Sequence, residues 1–447
     1  MGRILFVLLA GAVAAGVSGG QTPRFRIGTG GYYKTNPNVC TERHVLEMKE
    51  AGIDFVSDVE ISNRRFLDLL HRHGLSAVAL RAVGYWCGGN GSRAGQMPEV
   101  YPRGKYERQI RDFKNGLDHP AIIGHMLSDE PSAVDMEYIG EIASLLKKLL
   151  PEKLVYVNLY PCYASVDENT SSQKTSQLGC NSYEGYVDAY CRTIPLDYIS
   201  FDHYPYFEKD ETTLAKLPRY YGNFKTVAEA CRRTGRALWH DPQVNSRPGV
   251  SRTMSRNNLR FQAGVALAFG AETLVWECWC PGWWTNNVYT AEGEKTEQYD
   301  KLKDVNLELR RIAPRYMRFR NIATHFVGAW PKNLELTRYG IEAVNACDTG
   351  FFRCVGASDG SRLLVGEMVS RRGIDGSRAL LVFAADDPVD VRCGSHEIRF
   401  LPMAESFYVV GPSGTVACSR NADGTYCFKL NDNSYALIVA GAEGEME

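Results

Sequence analysis

Eight short apolar runs punctuate the first two-thirds of this chain, and stretches of helical spacing separate them. The runs are Phe25–Gly30, Ile53–Val59, Ser76–Val83, Ile122–Leu127, Leu154–Leu159, Tyr198–Asp202, Ala237–Trp239 and Thr273–Trp276. Near-continuous apolar runs of strand length suit strands buried on both faces. The intervening patterns include Glu42–Ala51, Asn63–His73, Met136–Leu150, Leu217–Thr234 and Ser255–Phe269, amphipathic at helical intervals. Alternation repeated eight times predicts an α/β chain whose parallel sheet closes into a (β/α)₈ TIM barrel. An open doubly wound sheet would usually place a glycine-rich phosphate loop after its first strand. Gly28-Thr29-Gly30-Gly31 lacks the G-x-G-x-x-G spacing, so a nucleotide site has little support.

After about Arg320 the pattern changes to short alternating runs and turn signals such as Ser358-Asp359-Gly360, Gly373-Ile374-Asp375-Gly376, Pro412-Ser413-Gly414 and Ala422-Asp423-Gly424. This predicts an all-β sandwich over 321–447, with Ala379–Phe383 and Tyr435–Val439 as buried strands, following a barrel over 21–320. Residues 1–20, a charged start, an apolar run and Ser18-Gly19-Gly20, have the form of a secretory leader and predict a secreted or periplasmic protein. No later segment is long and apolar enough to span a membrane.

The 51 basic and 52 acidic side chains give a net charge of −1, which argues against nucleic acid or an anionic membrane as partner. In an exported chain the thirteen cysteines admit disulfides, and spacing suggests Cys162–Cys180, Cys347–Cys354 and Cys418–Cys427, with at least one thiol left over. Cys278-Trp279-Cys280 lacks zinc-finger spacing and a nearby histidine, so zinc is the weaker reading and no metal or organic cofactor is expected. Asn90-Gly91-Ser92 and Asn169-Thr170-Ser171 would accept glycans only in a eukaryotic host.

In such a barrel the active site lies at the carboxyl ends of the strands. Those ends carry Tyr33, then Asp58 and Glu60, Trp86, Asp129 and Glu130, Asn158 and Tyr160, Asp202 and Tyr204, Trp239, Asp241 and Gln243, and finally Glu277, Trp279 and Trp283. Rings stack on sugar C–H faces while carboxylates and amides bind hydroxyls, so this rim predicts a carbohydrate substrate. Tyr33, Trp86, Asp202, Tyr204, Trp239, Asp241, Gln243, Trp279 and Trp283 are the candidate binding residues. Asp129, Glu130 and Glu277 are the candidate catalytic ones. Two acids side by side at the end of an apolar strand cost several kcal/mol unless paired or used, roughly what burying a charge demands.

The run His119-Pro120-Ala121-Ile122-Ile123-Gly124, ending in Asp129-Glu130-Pro131, resembles the fourth-strand motif of clan-A-type (β/α)₈ glycoside hydrolases. Asp202-x-Tyr204-Pro205 after strand six, and Ala266–Gly270 leading into Trp276, add to the resemblance, which covers most of residues 25–320. It implies Glu130 as general acid/base. Two departures matter. Asp129 stands where the family pattern has Asn, and strand seven offers His240-Asp241-Pro242-Gln243 with no Glu. Glu277 on strand eight is then the first candidate for nucleophile or base, with Asp241 behind it. A carboxyl separation of about 5 Å implies retention and one of about 6.5–9.5 Å inversion. Adjacent Asp-Glu pairs also resemble those of substrate-assisted N-acetylhexosaminidases, where the Asp orients the substrate acetamide and the Glu is the acid.

Blander roles compete. Glu130 could cap a helix, Glu277 could pair with Arg81, and His203 and His240 read as hydrogen-bonded rim residues. A non-catalytic carbohydrate-binding barrel is the rival function. A metal-dependent hydrolase is disfavoured, because no His-x-His pair stands at a strand end.

Overall fold

The computed structural model describes residues 23–441 apart from 32–35, 81, 167–175, 207–209, 247–252, 282–284, 374–376 and 390–393. The leader-like residues, Tyr33, Arg81, Trp283 and the Asn169 sequon therefore lie outside the described residues.

Eight parallel strands form the barrel: β1 (Arg26–Thr29), β2 (Phe55–Val59), β3 (Ser76–Leu80), β4 (Ile122–Asp129), β5 (Leu154–Leu159), β6 (Tyr198–Asp202), β7 (Ala237–Asp241) and β8 (Ala271–Trp276). Each pairs with its neighbour in sequence, and β8 pairs back onto β1 through Ile27↔Leu274 and Gly28↔Val275, which closes the sheet. The two-residue segment Trp86–Cys87 adds a further parallel pairing to the end of β4. A helix follows each strand: α1 (Glu42–Glu50), α2 (Arg64–Arg72), α3 (Arg103–Leu117), α4 (Met136–Leu149), α5 (Tyr183–Thr193), α6 (Asp210–Thr234), α7 (Arg256–Ala268) and α8 (Glu297–Tyr316). Local signals set several starts. The Thr41 side chain accepts the His44 N–H at the head of α1, and Ser255 and Asn258 form a reciprocal capping box on α7.

From Phe319 the chain is mostly antiparallel strand: β9 (Phe319–Val327), β10 (Ala343–Val344), β11 (Phe352–Ala357), β12 (Leu363–Ser370), β13 (Arg378–Ala384), β14 (Ser395–Pro402), β15 (Phe407–Gly411), β16 (Gly414–Thr415), β17 (Ser419–Arg420), β18 (Tyr426–Asn431) and β19 (Tyr435–Ala440). They make a seven-stranded sheet, β10-β9-β12-β13-β19-β15-β16, and a four-stranded one, β11-β14-β18-β17. The fold is thus a TIM barrel followed by a β-sandwich. Alternation along the strands assigns two cores. Leu364, Leu381, Phe383, Leu437 and Val439 join the barrel's hydrophobic core, whereas Leu363, Val365, Leu380, Val382 and Ile438 face Ile398, Phe400 and Phe428 of the small sheet.

The suggested disulfides are not formed. Cys162, Cys347, Cys354, Cys418 and Cys427 are free thiols. Cys347 lies in the sandwich core while Cys354, at φ 54°, is exposed, so their side chains diverge. The Cys162 thiol is aimed at the Arg219 carbonyl, 3.5 Å away. Among the described residues no helix is long and apolar enough to cross a membrane.

Candidate active site

The parallel register brings the strand ends to one mouth. Asp129 pairs with Asn158 across β4 and β5, and Asp202 with Asp241 across β6 and β7. Paired residues share a face, so these side chains converge inside the barrel. Asn158 ties two of the acids together: its Nδ2 donates to Asp202 Oδ1 at 3.0 Å and to Asp129 Oδ1 at 3.4 Å. Tyr85 donates to Asp129 Oδ2 at 3.4 Å. Deeper down, the Tyr156 hydroxyl donates to both oxygens of Asp241 at 3.0 and 2.9 Å, and Ser200 Oγ lies 3.0 Å from that hydroxyl.

Glu130 follows Asp129 at the end of β4, its N–H donating to the Asn158 carbonyl at 2.8 Å. Its backbone sits at φ 49° and that of Asp58, at the end of β2, at φ 66°. A left-handed conformation costs a non-glycine residue of order 1–3 kcal/mol and is held only where the surroundings over-determine it. Burial pushes the Glu130 pKa well above 4.5, and the charges of Asp202 and Asp129 push it further. These effects favour the protonated form of Glu130, whose O–H donates a hydrogen bond to Asp202.

Glu277 approaches from β8. Its N–H donates to the Pro242 carbonyl at 2.9 Å and its carbonyl accepts the Val244 N–H at 2.8 Å, so the β7–β8 ladder continues past both strands. The Cys278 thiol donates to Glu277 Oε2 at 2.9 Å. The carboxyl lies over the backbone of Gly30, where a Cβ would fall 1.8 Å from Oε1, so any larger residue there displaces the Glu277 carboxyl. Burial raises the Glu277 pKa well above 4.5, helped by Asp58, Asp241 and Asp129. Asp129, Asp202 and Asp241 are likewise raised, first by burial. Asp129 acts on both glutamates. His203 and His240 are buried with pKa values lowered to about 3, so neither brings a positive charge.

The predicted site residues separate into two sets. Asp129, Glu130, Asp202, Asp241 and Glu277 come together, with Tyr204 half-buried among Asp202, Glu277 and Asp241. The remaining rings among the described residues do not present a platform. Trp86 is 0% exposed, with Nε1 donating to Asp135 Oδ2 at 3.2 Å. Trp279 is also 0% exposed, its Nε1 2.8 Å from His44 Nε2 and its ring stacked on Tyr289. Gln243 is buried, accepting the Tyr206 N–H at 3.0 Å and donating to the Asn245 carbonyl at 2.7 Å. Trp239 stacks on Tyr198 and lines a cavity of about 430 Å³ with Arg24, Arg26 and Thr273, at the opposite, N-terminal end of the barrel. Trp86, Trp279 and Gln243 are thus held by packing or hydrogen bonds within the protein, and Trp239 lies toward the other end of the barrel.

Several neighbours of the carboxylates were not singled out from sequence. Asp58 carried the same signal as Asp129, an acid at a strand end. Asn158 was visible as an amide at the end of β5. Tyr156, Ser200 and Gly30 lie within strand patterns and gave none. Away from the mouth, Asp386, His396 and Asp432 in the sandwich each place one ligand atom within 4.8 Å of the others. Burial pulls the His396 pKa down, but Asp359 and Asp386 outweigh it and raise it above 6.5. That cluster is an imidazole among carboxylates, which favour its protonated form.

No family model matches the chain, and no curated protein sequence matches it. Solved structures do. A beta-galactosidase from Bacillus circulans sp. alkalophilus aligns with a TM-score of 0.54 over 94% of this chain and 99% of that one, at 9% identity. Alpha-L-fucosidase isoenzyme 2 from Paenibacillus thiaminolyticus gives 0.53 over 94% and 100%, at 7% identity. What is shared is the fold. A barrel followed by β-sheets therefore runs through all three chains, and the chemistry of this one rests on its own mouth.

Proposed function

We propose that this protein is a glycoside hydrolase in which Glu130 is the general acid. The observation that carries the reading is the placement of Glu130 at a barrel strand's carboxyl end beside Asp202 and Asp129, where burial and those neighbours push its pKa up. A carboxylic acid whose neutral form is favoured in this way can protonate a glycosidic oxygen as the bond to the sugar breaks. Glu277 is the second group. It attacks the anomeric carbon or activates the water that does, according to its distance from Glu130 in the substrate complex. The Cys278 thiol favours its ionised form. Asp129, Asp202, Asp241 and Tyr204 meet the sugar hydroxyls. The fold shared with a beta-galactosidase and an alpha-L-fucosidase supports the reading.

A second reading assigns Asp129 to a substrate acetamide, with the acetamide oxygen as nucleophile and Glu130 still the acid. It is favoured by the bonds at Asp129: each oxygen receives only one long donor, at 3.4 Å, which leaves acceptor capacity for a substrate N–H. A hydrolysis panel of aryl glycosides, polysaccharides and N-acetylhexosaminides decides between them. Loss of activity in both Glu130→Gln and Glu277→Gln supports the two-glutamate mechanism. Loss in Glu130→Gln and Asp129→Asn with Glu277→Gln active, on N-acetylated substrates alone, supports substrate assistance. A wild type that binds glycans and cleaves none is a carbohydrate-binding barrel, and the proposal fails.

A further inference from the structure

At the end of the barrel away from the mouth, where α6 turns into β7 and the sandwich meets the barrel, lies a cavity of about 90 Å³. Four arginines line it, Arg232, Arg236, Arg320 and Arg371, against one carboxylate, Glu272. Arg371 is the neutralised one: its Nη2 meets Glu272 Oε1 at 2.6 Å and its Nε donates to the Phe319 carbonyl at 2.9 Å. Arg232 donates to Asn321 Oδ1 at 2.8 Å, a neutral acceptor, and its burial works against its charge. Glu229 acts on Arg232 from a distance but is itself paired with Lys225 at 2.8 Å. Arg236 spends Nη2 on the Cys191 and Ile194 carbonyls at 3.1 and 3.0 Å, while its buried Nη1 has no partner. Arg320 is exposed and has no carboxylate partner among the described residues.

Three arginines without a carboxylate partner among the described residues thus line a space bounded by both domains, Arg236 with its guanidinium also over the Tyr190 ring at 5.4 Å. Buried donors and charges are as a rule satisfied, and an orphaned one calls for an explanation. The guanidinium fork matches the oxygens of a carboxylate or of a tetrahedral oxyanion, and a compact free ion with several oxygens can meet more than one fork at once. The cavity has room for a handful of water molecules, hence for one such ion, and is far below the roughly 300–1,000 Å³ of sites that hold sugar-sized ligands.

We propose that this cavity binds a single free tetrahedral oxyanion, phosphate or sulfate, which staples the α6–β7 corner of the barrel to β9 and the β12–β13 turn of the sandwich. The site is independent of the carboxylate mouth and of the glycosidase reading.

The test is isothermal titration of the full chain with inorganic phosphate at ionic strength held constant with chloride, alongside thermal melts in the same buffers. The expected result is saturable binding of one phosphate per chain, competed by sulfate, with a melting temperature that rises with phosphate concentration. Arg320→Gln, an exposed change that leaves the packing intact, and Arg232→Gln should each weaken binding about tenfold, the scale of one lost charged hydrogen bond. Sulfate and phosphate stabilise many proteins without a site. Equal melting shifts in wild type and both variants, or no saturable uptake by the wild type, overturn the proposal. Tighter binding of glycerol phosphate than of inorganic phosphate also overturns the assignment to a free ion. Should Arg232→Gln fail to fold, Arg320→Gln alone decides.

Discussion

Glu130 and Glu277 are both held above the ordinary carboxyl range, and the difference lies in what faces each. Glu130 faces the charges of Asp202 and Asp129 and donates to Asp202; Glu277 accepts a hydrogen bond from the Cys278 thiol. The proposed hydrolysis needs Glu130 protonated and Glu277 ionised, so both limbs of the kcat/KM profile belong above pH 4.5. Removing the Asp202 charge by Asp202→Asn should move the alkaline limb to lower pH, because the charge that holds the Glu130 proton is gone. Cys278→Ala should move the acid limb to higher pH. An acid limb below pH 4.5 in the wild type contradicts the assignment. Stability follows from the same shifts. A carboxyl whose folded pKa lies above its unfolded 4.5 costs nothing below that pH and loses stability for the fold as pH rises through the window above it. Glu277→Gln should therefore raise the melting point at pH 7, by a gain of about 0.5–2 kcal/mol, and the gain should vanish near pH 4. Equal gains at both pH values would show that the carboxyl is not strained. At this scale the sequence showed the acids well, since an acid ending an apolar strand needs a reason. It did not show the fate of the aromatic rings. Trp279 is buried by His44, a residue 235 positions earlier, and nothing local to Trp279 announces that partner.

The strands run further than their apolar patterns. Ile122–Leu127 and Ala237–Trp239 were the legible parts of β4 and β7, which end at Asp129 and Asp241. The ladder continues through the polar residues because neighbouring strands supply Asn158 and Tyr156 to satisfy them inside the barrel. An apolar pattern stops where such satisfaction begins, so element ends at a site are the least legible. Gly30, just past β1, shows what an element end contributes. Gly30→Ala places a methyl on Glu277 Oε1 and should cut activity by two orders of magnitude or more, on the scale of about 10²–10⁴ for a displaced acid/base group. Circular dichroism should stay native, since only the far end of one side chain must move. Full activity in Gly30→Ala would mean that Glu277 has no part in the reaction. Helix α7 presents the opposite case. Of its thirteen residues Asn257–Asn258–Leu259 and everything from Phe261 to Ala268 are buried, because the barrel covers one side and the sandwich the other. Its pattern read as an amphipathic helix when it has almost no polar face.

Both observations bear on how the two parts of the molecule depend on each other. The change of pattern near Arg320 was legible, and the continuous apolar runs of β13 and β19 signalled strands covered on both faces. What those faces meet was not legible, because packing partners are set by tertiary geometry. One face of the seven-stranded sheet completes the barrel's own core, with Phe383 against Phe261 at 5.9 Å and against Gly264, where a Cβ would fall 2.3 Å from the Phe383 ring. Tyr206 and Asn258 both donate to the Pro388 carbonyl across the same joint. A sheet that supplies the second wall of α7 is part of the barrel's stability. Gly264→Val should therefore destabilise the whole chain by about 1–3 kcal/mol, the usual cost of overpacking, and lower a single melting transition. A chain ending after Tyr316 would expose Phe261, Val265 and Ala268 along α7 to water. It should aggregate, or retain far-UV but lose near-UV circular dichroism. An isolated barrel that stays soluble and melts cooperatively would show instead that the sandwich is an appendage, with the interface contributing nothing the barrel needs.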